Sequence, residues 1–114
     1  MIQYSILFAD GDPNVTQYFT GTLNANGFDA AGTTSGMEAL GMYKTMSPDL
    51  VVTDLALSEL DGMTLLEELL KYDPTARVII TADNADKDVI ARAFRLGVLD
   101  VLEKPLDFES LISI

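Results

Sequence analysis

Apolar residues fall along this chain in five short, largely unbroken runs, at positions 4–9, 28–31, 50–53, 78–81 and 98–102. Runs of that length without strict alternation suit the strands of a parallel sheet that is buried on both faces. Between them, apolar positions recur at helical steps: Val15, Tyr18, Phe19 and Leu23 in one segment, Val89, Ile90, Ala93 and Phe94 in another. Residues 63–72 predict a third helix, closed by Pro74. Residues 37–46 predict a weaker one, because Gly41 lowers helix propensity and the apolar face is less regular. The punctuation agrees. Asp12 before Pro13 reads as an N-cap followed by proline in the first turn, and Gly27 and Gly97 sit where helices stop.

Strict alternation of strand and helix requires right-handed crossovers onto one parallel sheet, with ligands expected at the carboxyl ends of the strands. The residues there are Asp10 after the first strand, Asp54 after the third, Thr81 at the fourth and Lys104 just past the fifth. Singly each is ordinary: Thr81 is a β-branched strand residue and Lys104 a surface lysine. Asp12 is most simply a helix cap, a duty that competes with any metal for the same carboxylate. It is their joint spacing that carries information.

Composition narrows the chemistry. With 114 residues, 48% of them hydrophobic, the chain suffices for one core and one domain. A net charge of −11 with only seven basic residues repels nucleic-acid phosphates and anionic membranes, so neither is expected as a direct partner. No apolar run approaches the roughly 20 residues that cross a bilayer, and no basic stretch leads into an apolar one at the start, so a cytoplasmic location is expected. The absence of cysteine and histidine removes disulfides, most zinc sites and every Ser-His or Cys-His nucleophile pair. Carboxylates, a hydroxyl and an ammonium remain, and each has a task in phosphoryl transfer. One acid can be the nucleophile and a second can hold a divalent metal, while hydroxyl and ammonium bind phosphoryl oxygens. Lys87, Arg92 and Arg95 concentrate basic charge on the fourth helix, where a solubilising role is expected ahead of an acidic partner.

The stretches ILFADGDPNV, PDLVVTDLALSELDG, VIITA and GVLDVLEKP resemble, in order and over the whole chain, the signature segments of bacterial response-regulator receiver domains, chemotaxis receivers among them. The resemblance implies a doubly wound, five-stranded parallel sheet of flavodoxin-like order 2-1-3-4-5 with helices on both faces. It implies that Asp54 is the phosphoacceptor, that Thr81 turns toward the phosphoryl group, and that Lys104, before Pro105 in a cis peptide, pairs with it. Asp10 matches the first acid of the family's pair, which holds magnesium through water. Asp54 and the backbone carbonyl of Ala56 complete the implied metal contacts. A sensor histidine kinase or phosphotransfer protein is the implied donor. The chain is expected to be the N-terminal part of a longer protein with a C-terminal output domain.

Three positions depart from the family pattern. Gly11 replaces the second acid, normally a direct metal ligand, so weak magnesium binding is expected, with Asp12 as the tentative substitute. Val101 stands where an aromatic residue usually swings inward on activation. Ser58 replaces a frequent proline, which should leave the loop after Asp54 freer. Gly11 and Val101 suit a second reading, a pseudo-receiver that keeps the fold as a phosphorylation-independent interaction module. In a third, DGDPNV resembles the opening motif of haloacid-dehalogenase-type phosphatases, with Asp10 as nucleophile and Asp12 as acid/base. That family needs a further acidic cluster after the lysine and usually a cap domain, and the chain ends ten residues past Lys104.

Overall fold

The computed structural model describes residues 3–113. Strands β1 (Ser5–Ala9), β2 (Asp29–Thr33), β3 (Leu50–Asp54), β4 (Val78–Ala82) and β5 (Asp100–Glu103) alternate with helices α1 (Pro13–Ala25), α2 (Gly36–Met46), α3 (Gly62–Tyr72), α4 (Lys87–Leu96) and α5 (Phe108–Ile112). All strand pairs are parallel, in the order β2-β1-β3-β4-β5, the flavodoxin-like arrangement expected from the sequence.

Burial on both faces explains the unbroken apolar runs. Ile6, Phe8, Leu50, Val52 and Ile79 face α1 and α5, where Phe19, Leu23 and Leu111 meet them. Their strand neighbours Leu7, Ala9, Val51, Val78 and Ile80 face Leu65, Leu66, Leu69, Tyr43 and Ala93 on the opposite side. Each helix begins on a side-chain cap: Asp12, Ser35, Asp61, Asp86 and Asp107 accept the N–H of Asn14, Glu38, Thr64, Val89 and Ser110. A share of the acidic excess is thus helix punctuation.

Two strand boundaries shift by two residues from their expected positions, the others by one at most. β2 runs on through Gly32 and Thr33, because its pairing with Phe8 and Ala9 of β1 continues there. β5 starts at Asp100, because Val98 still belongs to the end of α4. Gly97 is left-handed at φ 111°, and the Val98 N–H returns to the Ala93 carbonyl at 3.0 Å. No helix among the described residues is long and apolar enough to cross a membrane.

Candidate functional site

Side chains alternate between the faces of a sheet, and that period of two decides which polar groups meet. On the α1/α5 face the rows run Ile6, Phe8 to Asp10; Leu50, Val52 to Asp54; Ile79 to Thr81; and Leu102 to Lys104. The four residues therefore crown one face of the sheet at its carboxyl end. Asp54 closes β3 level with Thr81 across the ladder, while Asp10 and Lys104 lie one residue beyond β1 and β5.

The carboxylates and the hydroxyl-bearing residue are buried: Asp10 is 1% exposed, Thr81 2% and Asp54 7%. Lys104 Nζ donates to Asp54 Oδ2 at 2.9 Å and lies 3.1 Å from Asp10 Oδ2, so one ammonium bridges both acids. Burial of that ammonium works toward a lower pKa. The hydrogen bonds to Asp54 and Asp10, together with their charges, outweigh it and hold Lys104 above its ordinary value. The lysine is anchored by its own N–H, which donates to the Ala82 carbonyl at 2.9 Å, and the Lys104–Pro105 peptide is cis. Asp10 is fixed just as firmly. Its Oδ1 accepts the Asp12 N–H at 2.9 Å, and its carbonyl accepts the Thr16 hydroxyl at 2.9 Å.

Asp12 does not take the place of the missing acid. It is exposed, and its Oδ1 accepts the Asn14 N–H at 2.9 Å as the cap of α1. Gly11 has a different role from that of an absent ligand: a Cβ built there would stand 2.5 Å from the Ala56 carbonyl oxygen. The loop after β1 and the loop after β3 approach too closely for any side chain between them.

The loop after Asp54 is also not freed by Ser58, contrary to expectation. The Ser58 N–H and Oγ both donate to the Thr34 carbonyl, at 3.3 and 3.2 Å, and the Ser58 carbonyl accepts the Gly36 N–H at 3.0 Å. Serine supplies an N–H that proline lacks, and the β3–α3 loop is stitched to the β2–α2 loop. That freed donor was the available signal in the sequence, and the stitch was missed for want of its partner. Val101 is partly buried against the α3/α4 side of the core. Of the basic residues on α4, Arg92 pairs with Glu67 of α3.

A parallel 2-1-3-4-5 sheet carrying two buried acids, a threonine and a lysine at its carboxyl end defines an α/β domain of the receiver type. The chain matches the model of the response regulator receiver domain over residues 6–114, and it belongs to that family. It is 31% identical to the chemotaxis protein CheY of Treponema pallidum over 112 residues, covering 96% of this chain and 78% of that protein. It is 36% identical to the transcriptional regulatory protein GlrR of Escherichia coli, covering 93% of this chain but only 24% of that one. The crystal structure of the CheX-CheY-BeF3-Mg+2 complex from Borrelia burgdorferi superposes with a TM-score of 0.90 at 25% identity, over 98% of this chain and 86% of that one. Domains of this family are signalling modules of two-component systems rather than classical enzymes.

Receiver domains typically bind Mg2+, an ion that demands near-octahedral oxygen donors at roughly 2.0–2.1 Å. The residues of this crevice do not fit it. The Oδ2 atoms of Asp10 and Asp54 are engaged by Lys104, Asp12 caps α1, and Gly11 brings no donor. Among the described residues no group of three or more acidic, histidine or cysteine side chains could hold a metal ion.

Proposed function

We propose that this domain accepts a phosphoryl group on Asp54 from a phosphohistidine of a sensor kinase or phosphotransfer protein. The observation that carries the proposal is the Asp54–Lys104 contact at 2.9 Å on a carboxylate that ends a buried strand beside Thr81. In this reaction a carboxylate oxygen of Asp54 attacks phosphorus, the P–N bond to the donor imidazole breaks as the P–O bond forms, and the imidazole leaves. Lys104 neutralises charge on the phosphoryl oxygens, and the Thr81 hydroxyl donates to one of them. The acyl phosphate then biases a two-state surface. Val101 in place of an aromatic side chain shifts the response toward the loop after Thr81 and α4. In the cytoplasm, a longer protein would couple this surface to an output domain, as the small share of GlrR that the chain covers suggests.

The close approach of Gly11 to Ala56 favours one other reading, a pseudo-receiver that uses the same fold for phosphorylation-independent binding. Incubation with acetyl phosphate or a phosphorylated donor, followed by intact-mass measurement and peptide mapping, separates the two. One hydroxylamine-labile phosphoryl group on Asp54, absent in Asp54→Asn, supports the receiver. No label supports the pseudo-receiver, and a label on Asp10 overturns both in favour of the phosphatase reading.

A further inference from the structure

Three observations bear on what cation this crevice takes. First, the loop after β1 is pressed against the loop after β3, so that a Cβ at Gly11 would stand 2.5 Å from the Ala56 carbonyl oxygen. Contacts this short are essentially never made by real side chains, and the obstructing atom is backbone. Second, the β3–α3 loop is held in place from its far side. The Ser58 N–H and hydroxyl bind the Thr34 carbonyl, and the Gly36 N–H binds the Ser58 carbonyl at 3.0 Å. To let a side chain in beside Gly11, the loop would have to move while those bonds hold Ser58, two residues from Ala56. Third, the cation position between the acids is filled by the protein itself. Lys104 Nζ lies 2.9 Å from Asp54 Oδ2 and 3.1 Å from Asp10 Oδ2. A divalent ion that took the same two oxygens would have to expel the ammonium, because like charges cannot share them at hydrogen-bond distance.

We propose that Lys104 is the resident cation of this crevice, holding the position that a divalent ion would need, and that the seam between Gly11 and Ala56 leaves no room for a further acidic side chain to favour the ion instead. The domain then differs from its metal-loaded relatives in being indifferent to divalent cations. The proposal concerns what the crevice binds and does not depend on phosphorylation of Asp54.

The test uses Mn2+ as the probe, with free ion counted by electron paramagnetic resonance in physiological salt. The parent chain is expected to show no one-to-one uptake through the low-millimolar range. Lys104→Met, which leaves two unneutralised carboxylates facing each other, is expected to take up one Mn2+ at least about tenfold more tightly, and Asp54→Asn in that background to lose the gain. Uptake of one Mn2+ per parent chain at sub-millimolar concentration, with paramagnetic broadening of the Gly11 and Ala56 amide signals, overturns the proposal. Equal affinity in parent and Lys104→Met also overturns it. The seam is tested separately by Gly11→Ala, which adds no charge. Where a glycine has room, alanine stabilises by restricting the unfolded chain. Here the added Cβ should instead lower the melting temperature by at least about 4 °C. An unchanged or raised melting temperature would show that the loops part freely, and the seam would be refuted. Should Lys104→Met fail to fold, the parent titration and Gly11→Ala decide the matter. None of these readouts involves phosphoryl transfer, so their failure is distinguishable from failure of the phosphoacceptor reading.

Discussion

Lys104→Met should turn the crevice from a mutually neutralised cluster into a pair of buried like charges. Methionine keeps the apolar stem of the side chain and removes the charge. Asp10 Oδ2 and Asp54 Oδ2, 3.1 and 2.9 Å from the ammonium, are then left within about 6 Å of each other with no cation between them. At an effective dielectric of about 20, two like charges at roughly 6 Å repel by about 3 kcal/mol. The Lys104 side chain is 26% exposed, so water enters the mutant site and screens part of this. A loss of about 2 kcal/mol at pH 8 is expected, or roughly 10 °C in melting temperature. Thermal and urea melts at pH 8 measure it, with Asp54→Asn added as the second arm of a double-mutant cycle. In the Lys104→Met background, Asp54→Asn should restore most of the lost stability at pH 8. No rescue by Asp54→Asn would refute the argument, since it would mean that Lys104 acts through packing alone.

Two further predictions concern parts of the fold away from the crevice. Tyr43 donates to Asp73 Oδ2 at 2.7 Å; burial, the hydrogen bond to Asp73 and the charge of Asp73 push the phenol from 10.0 up to about 12. A folded pKa above the unfolded one gives stability that is full below pH 10 and lost as pH rises toward about 12, so Tyr43→Phe should remove a phenolate absorbance step near that pH and flatten the alkaline decline in stability. Gly41, within α2, has nothing within 4 Å of a built Cβ, and Gly41→Ala should stabilise the domain by about 1 kcal/mol, seen as a higher urea midpoint with unchanged slope.

The strand runs were legible because a sheet covered on both faces leaves no polar position to interrupt them, and Phe8, Val52 and Ile79 announce it. The positions of Asp10, Asp54, Thr81 and Lys104 followed from counting to the ends of those runs, and the side chains of Asp10, Asp54 and Lys104 meet. Boundaries were less legible. Val98 is apolar and buried like a strand residue, yet its N–H closes α4, a distinction made by the left-handed Gly97 rather than by hydropathy. Close approach between loops was not legible at all. Gly11 and Ser58 look, in sequence, like losses of a carboxylate and a proline. In three dimensions Gly11 gives room for the Ala56 carbonyl, and Ser58 gives a donor to Thr34. Neither partner is within 20 residues of its counterpart, so no local pattern could reveal the pairing.

Asp12 shows how such a competition is decided. One carboxylate could serve the crevice or the start of α1, and the geometry follows from what α1 lacks. Pro13 occupies the first turn and has no N–H, and no acidic residue stands elsewhere in that turn to complement the helix dipole. Asp12 is thus the anion available to the amino end of α1, and its Oδ1 takes the Asn14 N–H at 2.9 Å. Turning toward the crevice would forfeit a cap worth about 1 kcal/mol and bring a third carboxylate beside two that share a single ammonium. Both costs point the same way. Gly11 could supply the backbone freedom for that turn, yet the Asp12 N–H is itself tied to Asp10 Oδ1 at 2.9 Å, which fixes the peptide that would have to rotate. The acid pair suggested by Asp10 and Asp12 is therefore divided between two tasks, one carboxylate joining Asp54 on Lys104 and the other starting the helix.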